Sequence, residues 1–274
     1  MGTVWFAQSV SVVLMTYAEK RSIRRVIDAF YATGVVDEVV VINNNAEAGT
    51  SEEVAKTRAR EVHEPRQGYG YATRRGLAEA QGDMIILAEP DGTFDAADIF
   101  KLLAYGSDCD AVFGTRTTRA LIWREANMGD FLRIGNRAVA KYVGVLFGCD
   151  HLSDVGCTYR LLRRHVVEQV LDQLEVGGSQ LGPELMLRVL LSGARVVEVP
   201  VNYLPRVGVS AVTGDLGKAF ALGLQMISLI TRIRLQTIGR GNKPAPRSAG
   251  QHPFAFIQEH AVGQADEVTP IAAA

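Results

Sequence analysis

Short apolar runs, separated by segments of helical periodicity, are the feature that most constrains how this chain can fold. Residues 10–14, 39–42 and 84–88 are runs of mostly apolar, often β-branched residues, which is the pattern of strands buried on both faces of a parallel sheet. Apolar residues at helical spacing follow residues 10–14 and run from Ile23 to Phe30. Strands that alternate with helices predict a mainly parallel α/β sheet with right-handed crossovers.

The remaining segments extend this pattern. Further strands are predicted near residues 61–63, 110–113 and 195–201, and Pro200 favours an edge position for the last of them. Helices are predicted over residues 138–147, from Pro183 to Gly193, and over residues 216–235. We therefore predict one domain over residues 1–236, with helix 216–235 at its end. Residues 237–274 are predicted to be a flexible or disordered tail, because they are rich in Gly, Pro, Ala and Ser.

The run at residues 84–88 ends abruptly in two carboxylates, Glu89 and Asp91, with Pro90 between them. Ligands of open α/β sheets bind outside the carboxyl ends of the strands. Two like charges held close there repel unless a cation lies between them. Mg²⁺ usually takes one or two carboxylates together with substrate phosphates. The turn is predicted to hold a divalent cation and a phosphate-rich ligand, and a solvated acidic turn is the alternative.

Composition and charge exclude several classes of function. The formal net charge is -1, so no global field attracts nucleic acid, and none is expected as a partner. The three cysteines form neither a disulfide framework nor a CxxC metal site, which favours a reducing compartment. Neither a signal peptide nor an uninterrupted apolar span is found. A cytoplasmic protein is predicted, with peripheral contact at the inner face of a membrane through helix 216–235 as one option and a homodimer as another.

A local excess of positive charge stands out against this balance. Residues 114–141 contain six basic side chains against two acidic ones, and Arg116 and Arg133 are among them. The forked donors of arginine suit phosphate recognition. A solvated helix face is the alternative.

Two glycines and two further carboxylates are open to more than one interpretation. A dinucleotide-binding loop at Gly68 and Gly70 is excluded, because Thr73 stands in place of the third glycine and the loop follows the third strand instead of the first. These glycines let the backbone approach a ligand or a neighbouring strand. Asp154 is either a turn residue paired with an arginine or a catalytic group. Glu184 is either favoured by the positive end of a helix or catalytic.

Taken in chain order, nine motifs resemble those of the family-2 inverting glycosyltransferases of the GT-A fold, and most closely the dolichyl- or polyprenyl-phosphate sugar synthases. The resemblance covers roughly residues 8–236 and rests on these segments: Met15-Thr16-Tyr17-Ala18-Glu19, Val41 with Asn43-Asn44-Asn45, Gln67-Gly68-Tyr69-Gly70, Gly82-Asp83 with Glu89-Pro90-Asp91, Gly114-Thr115-Arg116, Arg133 with Asn136, Ser153-Asp154 with Tyr159-Arg160, Glu184 with Glu198-Val199-Pro200, and Arg206-Val207-Gly208. The fold that this resemblance implies is a Rossmann-like, three-layer α/β sandwich around a mainly parallel sheet.

The resemblance also implies a reaction and a division of roles. A sugar would pass from a nucleotide diphosphate sugar (a UDP- or GDP-sugar) to an acceptor, with Mg²⁺ or Mn²⁺ on Glu89 and Asp91. The residues expected at the donor are Tyr17, Glu19, Asn43, Asn44, Asn45, Gly68, Gly70, Asp83, Pro90 and Arg206. Arg206 would also assist catalysis by closing over the phosphates. Where the family usually has an acidic residue after the second strand, Asn43 to Asn45 are neutral, although an amide both donates to and accepts from a base edge.

The acceptor decides what else the site needs. A lipid phosphate is already anionic near neutral pH and requires no general base, so Arg116 and Arg133 would hold its phosphate. A hydroxyl acceptor would require Asp154 or Glu184 as a base. A nucleotidyltransferase is disfavoured, because the loop after the first strand has no glycine. A non-catalytic sugar-nucleotide binder is the remaining alternative.

Overall fold

The structure of the protein is a computed structural model that describes residues 8–126, 130–149, 152–208 and 216–238, without the side chains of 130–132 and 216–220. Beyond Ile238, the predicted tail lies outside the described residues.

A seven-stranded sheet forms the centre of the described chain, in the order β3-β2-β1-β4-β6-β5-β7. The strands are β1 Val10–Thr16, β2 Glu38–Asn43, β3 Arg60–His63, β4 Met84–Ala88, β5 Ala111–Thr115, β6 Arg160–Arg163 and β7 Val196–Pro200. Strand β6 runs antiparallel to both β4 and β5, and the other strand pairs are parallel. The chain places β2 and β3 on one side of β1 and later places β4 on the other side. The point between β1 and β4, where this order switches, is where ligands bind in such sheets.

Helices cover both faces of the sheet. They are α1 Ile23–Ala32, α2 Thr50–Val54, α3 Tyr69–Glu79, α4 Ile99–Gly106, α5 Asp130–Phe147, α6 Arg164–Val170, α7 Leu181–Leu191 and α8 Leu216–Gln236. Alternate strand residues point to opposite sides, so that Val12 and Leu14 pack with α1 and α4, whereas Val13 packs with α3. Helices α5, α6, α7 and α8 share the α3 side. Two hydrophobic cores therefore enclose the sheet in a three-layer sandwich.

The predicted fold class is confirmed, and so is the edge position of the strand that contains Pro200, because β7 pairs with β5 alone among the described strands. Two details differ from the prediction. Helix α5 begins at Asp130 and takes up part of the basic segment. The antiparallel direction of β6 was not predicted, because a strand's own residues do not encode the direction of its neighbours. Among the described helices, none has the length and hydropathy of a membrane span.

Candidate active site

The acidic turn after β4 lies at the carboxyl edge of the sheet, next to the loop that follows β1. Asp91 is fully buried. Its Oδ1 accepts hydrogen bonds from the backbone N–H and the hydroxyl of Thr93, at 2.9 and 2.6 Å. Its Oδ2 lies 3.2 Å from Nη1 of Arg206 but accepts no aligned hydrogen bond. One oxygen of Asp91 is thus fixed by the turn, and the other faces a cation.

Glu89 has different surroundings, although it is only two residues away. Burial, followed by the charge of Asp91, raises the pKa of Glu89 to about 7, while the guanidinium groups of Arg206 and Arg116 act in the opposite direction. Burial is the larger cause, and repulsion between the two neighbouring carboxylates adds to it. A cation bound at the turn would relieve that repulsion.

Arg206 reaches this turn from a distant part of the chain. We call residues 201–208 the strap. Val207 donates its N–H to the carbonyl of Asp91 at 2.9 Å, and Leu204 donates to the carbonyl of Thr93 at 2.8 Å. These bonds seat the strap along the acidic turn. The Nη2 atom of Arg206 also lies 3.4 Å from Oε1 of Glu19, in the loop after β1, so this guanidinium spans the cleft between β1 and β4.

A cleft of ≈ 230 Å³ opens beside this guanidinium. The residues that line it are Met15, Thr16, Tyr17, Glu19, Asn44, Gln67, Tyr69, Ala72, Glu89, Pro90 and Arg206. Gln67 and Tyr69 are among the lining residues that sequence analysis missed, and their positions beside Gly68 were the available signal. A larger groove of ≈ 590 Å³ lies on α8, but none of its lining residues is a carboxylate.

Glu19 and Asn44 line the cleft, and both are held by hydrogen bonds to the backbone. The Oε2 atom of Glu19 accepts from the N–H groups of Tyr17 and Ala18, at 2.8 and 2.9 Å. Asn44 is buried and donates to the carbonyls of Glu64 and Arg66, both at 2.8 Å.

The other two amides donate to neighbouring side chains. Asn43 donates to Oε1 of Glu61 at 2.8 Å, and Asn45 donates to Oε1 of Gln67 at 3.0 Å. Of the three, only Asn44 is among the cleft-lining residues.

Gly68 and Gly70 bring α3 against a neighbouring loop. A Cβ atom at Gly68 would lie 2.3 Å from the carbonyl oxygen of Gly177, and one at Gly70 would lie 2.2 Å from that of Val176. The N–H of Gly70 donates to Gly177 at 2.9 Å. Both glycines are accounted for by close backbone approach to a loop, whereas the sequence predicted approach to a ligand or a neighbouring strand.

Glu184 holds the same loop from the other side. It is fully buried on α7, and its Oε2 accepts from the N–H groups of Glu175 and Val176, at 3.1 and 2.9 Å. Its Oε1 lies 3.8 Å from Nη2 of Arg188. The structure places Glu184 behind the wall of the cleft and not among its lining residues.

The carboxylate of Asp154 is likewise engaged in hydrogen bonds, mainly with Arg116. Its two oxygens accept from Nε and Nη2 of Arg116 at 2.9 and 3.0 Å and from the N–H groups of Arg116 and Gly156, both at 3.0 Å. Burial alone would raise the pKa of Asp154, but the charge and hydrogen bonds of Arg116 hold it below its usual range. A carboxylate with four donors and a lowered pKa is a weak base. Asp154 orients Arg116.

Glu198 of β7 supports this pair in turn. Its carboxylate accepts from the N–H groups of Ser153 and Asp154, at 2.8 and 2.9 Å. Arg116 lies over the ring of Tyr203 in the strap, 5.2 Å from its centroid, and its charge lowers the pKa of Glu89. Sequence analysis quoted Glu198 as part of a motif but gave it no role.

Helix α5 brings further cations to Arg116. Arg137 donates from Nη2 to the carbonyl of Thr117 at 3.2 Å. Arg133, buried, lies one helical turn earlier on the same side. The contact of Arg137 joins α5 to the loop that carries Arg116, and the phosphate-binding role of Arg116 and Arg133 stays a prediction.

Asp83 is the one predicted donor residue that lies at the opposite edge of the sheet. It precedes β4, and its Oδ2 accepts from the N–H and hydroxyl of Ser9 at 2.9 and 2.8 Å. The acidic turn follows the other end of the same strand, so Asp83 cannot reach the cleft. Its assignment to the donor is corrected: Asp83 ties the start of β4 to the start of β1.

The donor set at the acidic turn fits a hard divalent cation. No group of three or more His, Cys, Asp or Glu side chains that would bind a metal comes together among the described residues. Asp91 offers one buried oxygen without an aligned hydrogen bond, and Glu89 lies beside it. Mg²⁺ and Mn²⁺ are held in this way, by one or two carboxylates with the other positions left for water or substrate phosphate.

Known proteins share the sequence pattern and the fold. The pattern of the family described as "Glycosyl transferase family 2" matches residues 11–171. An uncharacterised glycosyltransferase of Mycobacterium tuberculosis is 32% identical over 218 residues, which is 76% of this chain and 91% of that protein. The chain belongs to glycosyl transferase family 2. It is a glycosyltransferase, as the motifs predicted.

Two other relatives carry functional names. The dolichyl-phosphate hexose transferase of Haloferax volcanii is 27% identical over 236 residues, covering 85% of this chain and 99% of that protein. The undecaprenyl-phosphate mannosyltransferase of Micrococcus luteus is 25% identical over 219 residues, covering 76% of this chain and 88% of that protein.

A solved structure confirms the fold. Glucosyl-3-phosphoglycerate synthase of Mycobacterium tuberculosis, in complex with Mn²⁺, UDP and glucosyl-3-phosphoglycerate, superposes with a TM-score of 0.61 at 18% identity. The match covers 83% of this chain and 80% of that one. The GT-A architecture of this family 2 glycosyltransferase is thereby established.

Proposed function

We propose that this glycosyltransferase moves a sugar from a nucleotide diphosphate sugar to a polyprenyl or dolichyl phosphate, with inversion at the anomeric carbon. The observation that carries the donor half is the acidic turn, where Asp91 lies 3.2 Å from Arg206 and Glu89 lines the adjoining cleft at the β1–β4 edge. A divalent cation bound there would neutralise the diphosphate that leaves. The cleft beside Tyr17, Asn44 and Gln67 would receive the nucleoside.

The chain's own residues account for how the leaving group is stabilised. Departure of a nucleoside diphosphate builds negative charge, and preorganised positive groups lower that barrier. Arg206 is already at the turn, and its planar fork matches phosphate oxygens. Because the strap is bonded to the turn backbone, this guanidinium is positioned before the reaction begins.

The arginine cluster beside the turn supports a phosphate acceptor. Arg116 is fixed by Asp154, so its orientation costs little when an anion binds. Arg137 on α5 contacts the loop of Arg116 at Thr117, and Arg133 lies one helical turn earlier on the same helix. A phosphate acceptor needs no base, which agrees with the commitment of Asp154 and Glu184 to other partners. The names of two relatives indicate the same acceptor class. The synthase with the similar fold was solved with a soluble product, so a soluble hydroxyl acceptor is the second candidate.

A lipid acceptor also requires access to a membrane, and we propose that α8 provides it. Leu224, Ile227, Leu235 and Ile238 recur at helical spacing and are between 39% and 68% exposed. The opposite face, with Ile230 and Ile233, packs into the core. Residues 216–238 contain three cations and no acid, a composition that favours an anionic lipid surface.

Transfer assays with purified protein test this function. The donors are UDP- and GDP-sugars with Mn²⁺ or Mg²⁺, and the acceptors are undecaprenyl phosphate, dolichyl phosphate and 3-phosphoglycerate. We expect a polyprenyl-phosphate sugar of inverted anomeric configuration. Asp91→Ala should lower turnover by about 100-fold or more, because a lost metal ligand removes several kcal/mol of transition-state stabilisation.

The matched control is Asp95→Asn, which removes a carboxylate four residues away that caps the 3₁₀ turn Ala96–Asp98. It should retain near-wild-type turnover. Full activity of Asp91→Ala would refute the metal site. Transfer to the soluble acceptor alone would refute the lipid-phosphate acceptor and leave the donor site standing.

A further inference from the structure

We infer that Arg206 makes metal binding conditional on a nucleoside diphosphate, because in the ligand-free protein this guanidinium takes the place of the cation on Asp91. The inference rests on the proposed metal–diphosphate site and adds which ligand makes Asp91 available to the metal ion. Arg206 is thus a specificity-determining residue for the diphosphate itself.

The competition is for a single oxygen. Oδ1 of Asp91 is held by Thr93 at 2.6 and 2.9 Å. Oδ2 has no such hydrogen bond and is the oxygen available to a metal ion, and Nη1 of Arg206 lies 3.2 Å from it. A metal ion that binds Asp91 through Oδ2 is repelled by the guanidinium 3.2 Å from that oxygen and binds more tightly when Arg206 moves aside.

The contact is favourable but loosely built, which suits a group that must move. Oδ2 accepts no aligned hydrogen bond, and the second contact of Arg206, with Oε1 of Glu19, is 3.4 Å long. The side chain of Arg206 is 24% exposed, whereas that of Asp91 is fully buried. The guanidinium therefore has a solvent-facing side from which a phosphate can approach.

A diphosphate is better suited than a single phosphate to draw Arg206 away from Asp91. Arginine binds phosphate oxygens through charge-assisted, paired hydrogen bonds, which compensate it for the loss of a carboxylate. A monophosphate carries about two negative charges near pH 7, which a divalent metal ion neutralises. A diphosphate carries more negative charge, which leaves charge for the guanidinium. Metal and nucleoside diphosphate are therefore expected to bind together, and metal alone or with a monophosphate to bind weakly.

Mn²⁺ binding, followed by the electron paramagnetic resonance signal of the free ion, tests the inference without any transfer reaction. Wild type, Arg206→Met and Arg206→Lys are titrated alone, with UMP and with UDP, and protein-free nucleotide blanks are subtracted. GMP and GDP form a parallel series. Without nucleotide, Arg206→Met should bind Mn²⁺ about tenfold more tightly than wild type, a coupling of the usual size between linked sites.

The order of the two Mn²⁺ affinities should reverse when a nucleoside diphosphate is present. Wild type gains affinity for Mn²⁺ with UDP or GDP but not with the monophosphates, whereas Arg206→Met gains little from either. Arg206→Lys keeps the positive charge and should remain as weak as wild type in the absence of nucleotide. Its behaviour separates the effect of charge from general damage, and melting temperatures confirm that each variant is folded.

Arg25→Met is the matched control. The Arg25 side chain is exposed and approaches Gly92 in the same turn, with Nη2 3.2 Å from where a Cβ atom would lie. This variant removes an equal charge without touching Asp91 and should bind Mn²⁺ like wild type. If Arg206→Met binds Mn²⁺ no more tightly than wild type or Arg25→Met, the inference is overturned and the metal site stands. If Asp91→Ala binds Mn²⁺ as wild type does, the metal site and the inference both fall.

Discussion

Glu89 and Asp91 are neighbours in sequence, yet the fold gives their carboxyl groups different chemistry. Asp91 has an oxygen fixed by Thr93 and an ion pair with Arg206. Glu89 has neither, and burial with the charge of Asp91 raises its pKa to about 7. Asp91 is accordingly our choice for the stronger metal ligand, and Glu89 for its partner.

This difference predicts how pH affects stability at the residue scale. The folded protein keeps a proton on Glu89 up to about pH 7, whereas the ordinary value is 4.5. The stability that this proton provides is present below pH 4.5 and is lost as pH rises through 7. In metal-free buffer, Glu89→Gln should therefore melt a few degrees above wild type at pH 8. The advantage should shrink steadily as pH falls towards 4.5.

Scanning fluorimetry between pH 5 and 9 with a chelator measures the effect. The control is Glu52→Gln, an exposed carboxylate in the first turn of α2, which should give a pH-independent difference. A constant offset between Glu89→Gln and wild type across this range would show that Glu89 does not hold a proton in the folded state.

At the scale of elements, the loop over residues 174–177 links α7 to the cleft wall. Glu184 holds the loop by two backbone N–H groups, and the loop packs against the start of α3, where Tyr69 lines the cleft. A side chain deep in one helix can in this way determine the shape of a wall formed by another.

Removal of the Glu184 carboxylate tests whether it positions or catalyses. Glu184→Ala leaves two buried N–H groups without partners and should cost about 1–3 kcal/mol of unfolding free energy. The KM for the donor should rise, while the pH profile of kcat keeps its shape. Glu184→Gln retains an acceptor oxygen and should recover most of both losses.

The outcome differs for a general base. If Glu184 were a general base, its replacement would remove the acid limb of the enzyme's pH–rate profile, and Glu184→Gln would be as inactive as Glu184→Ala. The exposed α6 residue Glu168 supplies the control, and Glu168→Ala should change neither stability nor KM.

At the scale of the whole molecule, α8 presents an apolar stripe that the described chain does not cover. Only one side of α8 packs into the hydrophobic core, through residues such as Ile230 and Ile233. The exposed side is apolar at 224, 227, 235 and 238. A partner surface that covers this stripe, as proposed above, would account for it.

Flotation of the full-length protein with phosphatidylglycerol vesicles tests whether that partner is a membrane. We expect wild type to float and to be released as salt rises, because cations contribute to the attraction. The double variant Leu224→Glu with Leu235→Glu should stay at the bottom of the gradient. Phe100→Glu, at a 40% exposed position on α4, should float like wild type.

Equal flotation of the double variant and wild type would contradict the role of α8. A dimer in solution that the double variant abolishes, with no flotation of wild type, would instead assign the stripe to a second copy of the chain.

Sequence patterns determined the features that depend on near neighbours. Six of the seven strands, four of the eight described helices and the acidic turn follow from periodicity and turn chemistry, and the motif order predicted the GT-A fold and the glycosyltransferase class. Placement of Asp83 was wrong, because a motif records that two segments occur together and not which end of a strand each occupies.

Only the tertiary structure decided which side chains meet. Arg206 contacts Glu19 across 187 residues of sequence, and Arg116 contacts Asp154 across 38. No local pattern encodes such pairs, because they form only when crossovers bring separate loops to one edge of the sheet. Sequence alone therefore identified the carboxylates and arginines. The folded chain determined that Asp91 is paired with Arg206, that Asp154 orients Arg116, and that Glu184 supports the wall of the cleft.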